Sequence, residues 1–137
     1  MDNQETIQQI NLTAQNTMLS ALGIKITDVG NDYICGKMPV DHRTKQPFGL
    51  LHGGASIALA ETLGSIGGEM IVNNNETVVG IAINANHLKS VRDGWVIGKA
   101  VPIQINKRIH VWEIKITNKE KELICISRLT LAVILKR

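Results

Sequence analysis

The sequence predicts an α+β domain in which a curved antiparallel sheet wraps one long central helix. Three observations lead there: a glycine-rich apolar run of helical length in mid-chain, four alternating runs after it, and a helix and hairpin before it. At 137 residues the chain is expected to form one domain, 1–137. A chain of that length buries roughly 65–70% of its unfolded surface and has no need of disulfides or metals to fold.

Residues 4–22 place Ile7, Ile10, Ala14, Met18 and Ala21 three or four apart. This spacing predicts a single amphipathic helix, opened by Asp2 with Glu5 as a capping pair and stopped at Gly23. From Ile24 to Val40 the period drops to two, with Ile24, Ile26, Ile34, Gly36, Met38 and Val40 on one face. Gly30-Asn31-Asp32 supplies the turn, so a hairpin is predicted. Residues 41–50 hold a proline, a glycine and few apolar side chains, which predicts an irregular loop. From His52 to about Val72 there is neither proline nor alternation, which predicts a helix of roughly 20 residues and about 30 Å. Its glycines, Gly53, Gly54, Gly64, Gly67 and Gly68, would each cost about 1 kcal/mol against alanine in a helix interior, which implies close approach by another group. Alternating runs near 77–89, 95–105, 108–117 and 122–135 predict a meander of antiparallel strands, with turns at 92–94 and 118–121. Pairing the open sheet edges of two copies would cover them economically, so at least a homodimer is expected.

Composition removes several function classes. Fifteen Lys and Arg against twelve Asp and Glu leave a net charge of +3, which suits a small anion as well as a polymer. Tyr33, Phe48, Trp95 and Trp112 are the only aromatics, too few for a stacking platform, so no nucleic acid is expected. Cys35 and Cys125 lack C-x-x-C spacing and read as buried thiols in a reducing compartment. The start, Met1 to Glu5, is polar and acidic where a signal peptide needs a basic patch. Glu61 and Glu69 interrupt the longest apolar stretch, so no membrane span is predicted and a cytoplasmic location is expected. His42, His52, His87 and His110 show no metal-ligand spacing, and the glycine-rich run lacks G-x-x-x-x-G-K-[ST]. Neither a metal nor a separate cofactor is expected.

Glu61 fits its surroundings least, because its helical neighbours Ile57, Ala58, Gly64 and Ser65 are apolar or small. A carboxylate in such a flank serves as base or nucleophile; the plain alternative is a solvent-facing helix glutamate. Ser65 follows one turn later and can hold a water, though serine is also simply small. His52, Gly53 and Gly54 stand at the helix start, where backbone N–H groups lack partners and the dipole is positive, a setting that suits an oxyanion. Gln46 can offer an amide donor to a carbonyl, although a loop glutamine usually points to water. Gly53 and Glu61 are eight residues apart, about 12 Å along a helix axis. A reacting atom must lie within about 3 Å of both base and oxyanion donor, so one chain cannot supply both. The site is therefore expected between two subunits, with Gly53 and Gln46 from one chain and Glu61 with Ser65 from its two-fold mate. The small residues at 64, 67 and 68 are expected to allow close packing around it.

These residues resemble the hotdog-fold acyl-CoA thioesterases. Gln46-Pro-Phe-Gly-Leu-Leu-His52-Gly53-Gly54 followed by Ala60-Glu61-Thr-Leu-Gly-Ser65 is similar to that family's active-site loop and helix start. Val78-Val-Gly-Ile-Ala-Ile-Asn84-Ala-Asn86-His87-Leu-Lys89 resembles the cleft strand of its phenylacetic-acid-degradation branch. The likeness covers nearly the whole chain. It is nearest to bacterial hydrolases of 1,4-dihydroxy-2-naphthoyl-CoA in the menaquinone route and to proofreading thioesterases of siderophore synthesis. The resemblance implies a hotdog fold and hydrolysis of an acyl-CoA, with an aromatic acyl group. It further implies Glu61 as nucleophile or base, the Gly53 N–H as carbonyl polariser, Gln46 and His52 near that carbonyl, and Ser65 assisting the water. The CoA nucleotide would lie across a subunit interface on His87, Lys89, Lys107 and Arg108, and the assembly would be a dimer of dimers. Ala82 departs from the acidic residue expected there in close relatives, which bears on the acyl group more than on the chemistry. A hydratase using His52 and Glu61 as acid and base, and a non-catalytic acyl-CoA-binding module, are the alternative readings.

Overall fold

The computed structural model describes residues 2–137. Helix α1 (Asn3–Thr13) opens as predicted, with the Asp2 carboxylate accepting the Glu5 N–H at 2.8 Å. The single helix expected over 4–22 is in fact two. Asn16 takes a left-handed conformation at φ 63°, and Thr17 caps a separate α2 (Met18–Leu22). Asparagine tolerates that conformation and a threonine hydroxyl starts a new helix, yet the three-and-four apolar spacing runs on across the break. Periodicity therefore reads straight through it. Gly23, at φ 75°, ends α2 in a left-handed cap.

The hairpin forms as predicted from β1 (Lys25–Val29) and β2 (Ile34–Pro39). After the loop come α3 (Gly53–Ile71), β3 (Glu76–His87), β4 (Trp95–Ile105), β5 (Ile109–Thr117) and β6 (Leu123–Leu135). The six strands form one antiparallel sheet in the order β1-β2-β4-β5-β6-β3. Strands β4 to β6 meander, but β3 departs from the expected run. Both sides of β4 are taken by β2 and β5, so β3 takes the far side of β6. No helix among the described residues is long and apolar enough to cross a membrane.

Helix α3 lies on the inner face of this sheet, its Leu59 and Leu63 fully buried against Val96, Ile114, Leu129 and other core side chains. Missing Cβ atoms set how close it comes. At Gly98 and Gly36 a Cβ would lie 2.6 and 2.8 Å from the Leu63 methyls, and at Gly64 and Gly67 it would lie 2.5 Å from Leu129 and 2.7 Å from the Trp112 ring. Gly68 faces Leu131 in the same way, at 2.8 Å. The helix glycines thus seat α3 on its own sheet, which corrects their expected role in packing around a shared site.

The two sheet edges differ. Asn11 on α1 both donates to the Ile26 carbonyl at 3.0 Å and accepts the Ile26 N–H at 2.9 Å, and Asn3 donates to the Val29 carbonyl. Edge β1 is covered by side chains that mimic a further strand. Edge β3 has no such cover among the described residues and carries Val79 and Ile81 exposed.

Two measurements test this packing. Gly67→Ala forces a methyl into the Trp112 ring and should cost about 1–3 kcal/mol in urea unfolding, the range for overpacking; an unchanged midpoint would mean the helix can lift. His110 is 1% exposed beside Trp112, and burial pushes its pKa down, against the opposing charge of Glu76. An unfolded histidine titrates near about 6.5, so below that pH the unfolded chain binds a proton that the fold resists. Stability contributed by neutral His110 is complete above about pH 6.5 and falls as pH drops below it. In His110→Leu, the loss of urea midpoint between pH 7.5 and pH 5.5 should shrink.

Candidate active site

His52 is the N-cap of α3: its Nδ1 accepts the Gly54 N–H at 2.7 Å, and its carbonyl accepts the Ala55 N–H at 3.0 Å. The Gly53 N–H finds no acceptor among the described residues and sits at the positive end of a 19-residue helix. The His87 ring lies against Gly53, where a Cβ would stand 2.9 Å from Nε2. The Gln46 side-chain carbonyl turns back into its own loop to accept the Phe48 N–H, which leaves its NH2 as a donor. Gln46, Gly53, Ser56, His87 and Lys89 line one cleft of about 400 Å³.

Two turns further along α3, half-buried Glu61 faces a different space. Its carboxylate rests over the Cα of Gly80 in β3, where a Cβ would lie 2.7 Å from Oε2. Glu61 and Ser65 line a second cleft of about 350 Å³, walled mainly by apolar groups including Leu19, Leu22, Ala58 and Ile66. The two clefts share no residue. The eight-residue separation expected from the sequence thus places Gly53 and Glu61 in two separate clefts of one chain.

The remaining expected site residues are placed unevenly. His52 is engaged as the cap through Nδ1, immediately before Gly53, and walls neither cleft itself. Lys89 reaches its cleft but is ion-paired with Glu122, whose carboxyl it holds below the ordinary range. Lys107 and Arg108 lie exposed in the β4–β5 turn and wall neither cleft, so the expected four-residue basic set is not gathered within one chain. The expected pair of buried thiols holds for Cys125 alone; Cys35 is half-buried. Residue patterns missed two contributors. The α2 wall falls within what the apolar spacing predicts as one longer helix. Gly80 did carry a signal, since glycine within a strand marks close approach.

A conserved-family model described as the thioesterase superfamily matches residues 48–125, from the loop before α3 into β6. The chain belongs to that superfamily and is a thioester hydrolase of the hotdog fold. It is 44% identical over 129 residues to the 1,4-dihydroxy-2-naphthoyl-CoA hydrolase of Escherichia coli, covering 94% of this chain and 95% of that one. The crystal structure of a thioesterase from Haemophilus influenzae superposes with a TM-score of 0.92 at 51% identity, over 94% of this chain and 90% of that one. A mutant thioesterase from Pseudomonas aeruginosa gives 0.93 at 40% identity, over 95% and 94% of the two chains.

The cap makes a separate prediction: His52→Ala should cost about 1 kcal/mol of stability, as loss of a side-chain cap does. Urea unfolding that shows no loss would mean that the Gly54 N–H finds another acceptor.

Proposed function

We propose that the protein hydrolyses an acyl-CoA thioester with an aromatic acyl group, such as 1,4-dihydroxy-2-naphthoyl-CoA, at a site shared by two subunits. The division of the half-sites carries this reading. A free Gly53 N–H and the Gln46 amide stand in one cleft, and a carboxylate beside an apolar cavity stands in another. Two-fold pairing brings the first cleft of one protomer to the second cleft of its mate. The uncovered edge of β3 supports such pairing, and a dimer of dimers is the fuller assembly.

The scissile carbonyl oxygen then points at the Gly53 N–H and the Gln46 amide, which stabilise the charge that grows on it. Glu61 of the mate either attacks the carbonyl carbon or takes a proton from a water that does. Ser65 orients that water. Collapse of the tetrahedral intermediate breaks the C–S bond, and CoA leaves as a thiolate that is then protonated. On the covalent route, water cleaves the resulting anhydride and restores the carboxylate; both routes release the free acid. The apolar cleft beside Glu61 receives the acyl group, a reading supported by the named activity of the Escherichia coli relative. His87 and Lys89 lie on the side where the anionic CoA would run.

Glu61→Gln should lower kcat on an aromatic acyl-CoA by at least about 100–10,000-fold, followed by thiol release, and keep substrate binding. Mixing unfolded and co-refolded Glu61→Gln and Gln46→Ala chains should restore about a quarter of the wild-type rate, because half the random dimers carry one intact site. No recovery on mixing would place the whole site within one chain.

A further inference from the structure

We infer that Gly80 is the positioning residue for the Glu61 carboxylate, its missing side chain being the seat on which that carboxylate rests. The inference rests on the reading of Glu61 as the group that attacks the thioester or activates water.

Among the described residues, the Glu61 carboxylate accepts no hydrogen bond and joins no ion pair. Contact therefore sets where it lies, and one such contact is with Gly80. A Cβ there would stand 2.7 Å from Oε2 and 3.8 Å from Cδ of Glu61, while the next atom that same Cβ would meet, a Leu129 methyl, is at an ordinary 3.9 Å. With any other residue at position 80, the carboxylate must retreat by at least about 0.7 Å to reach ordinary contact at 3.4 Å.

The backbone does not ask for glycine at this position. Positive φ occurs at Gly23, Gly49 and Gly94 and not at Gly80, so an L side chain fits the strand itself. What a side chain meets is the tip of a flexible glutamate, which swings aside at little cost to the fold. Strand β3 is also irregular at this point. Gly80 pairs with Leu131 and Ala82 with Thr130, so Ile81 has no opposite number. The core-packed positions accordingly change from the even-numbered Val78 to the odd-numbered Ile83 and Ala85. A bulge of this kind re-aims what a strand presents, and here it falls beside the carboxylate.

The test is Gly80→Ala in the full-length protein, assayed with an aromatic acyl-CoA beside Glu61→Gln and the double variant. Displacement of a reacting group by about 1 Å costs on the order of 100-fold, so kcat should fall by about that factor while KM and the thermal midpoint stay at wild-type values. In the Glu61→Gln background the alanine should add no further loss, because it acts through a group already disabled. Wild-type kcat in Gly80→Ala beside an inactive Glu61→Gln would overturn the inference. So would an equal further loss in the double variant, or loss of the fold in Gly80→Ala. A Glu61→Gln enzyme with full activity would remove the underlying reading, and this inference with it.

Discussion

The close seat of α3 on the sheet governs the rest of the molecule. Leu63 drops between Gly36 and Gly98, while Gly64, Gly67 and Gly68 let the helix settle onto Leu129, Trp112 and Leu131. Each helix glycine weakens the isolated helix by about 1 kcal/mol against alanine, and the burial of large side chains above and below offsets that cost. Such interlocking fixes both the height and the roll of the helix. The roll turns Ala55, Leu59, Ala60 and Leu63 inward and leaves Glu61 and Ser65 half-buried on a flank, lining the cleft that α2 walls. The height brings the Glu61 carboxylate into contact with Gly80.

Two kinds of chemistry are then available along one rigid rod. Its first turn offers an unpaired amide at the positive end of the dipole, and its middle offers a carboxylate beside an apolar space. Both are held by elements that do not depend on loop conformation. Gln46 is the exception, and its own loop restrains it by using its carbonyl for the Phe48 N–H. A spacing of eight residues along the helix keeps the two groups apart. The sheet edges are unlike: Asn11 and Asn3 close β1, whereas β3, the strand beneath Glu61, has no such cover among the described residues.

Most elements could be read from the chain because their signals are local. Asp2 and Glu5 announce the first helix, Gly30-Asn31-Asp32 the hairpin, and the proline-free run from His52 the central helix. The misreadings arise where a local signal has two outcomes. The apolar spacing from Ile7 to Ala21 is the same for one helix or two, and Asn16 decides between them by taking a conformation that no periodicity encodes. Alternation shows that 76–87 is a strand but carries no information on its neighbour, so its place beside β6 depends on which edges were already filled. Lys89 reads as a free cation until Glu122, thirty-three residues away, is seen beside it.

The sequence by itself determined the fold class, the single long helix, and the spacing of Gly53, Glu61 and Ser65 along it. These follow from periodicity and from the fixed rise of a helix, both properties of neighbouring residues. Only the tertiary structure decided that His52 caps the helix and walls neither cleft, that α2 walls the apolar space beside Glu61, and that Gly80 lies under the carboxylate. Each depends on which distant surfaces meet once the core is packed, and close packing selects those meetings through shape that no single segment contains.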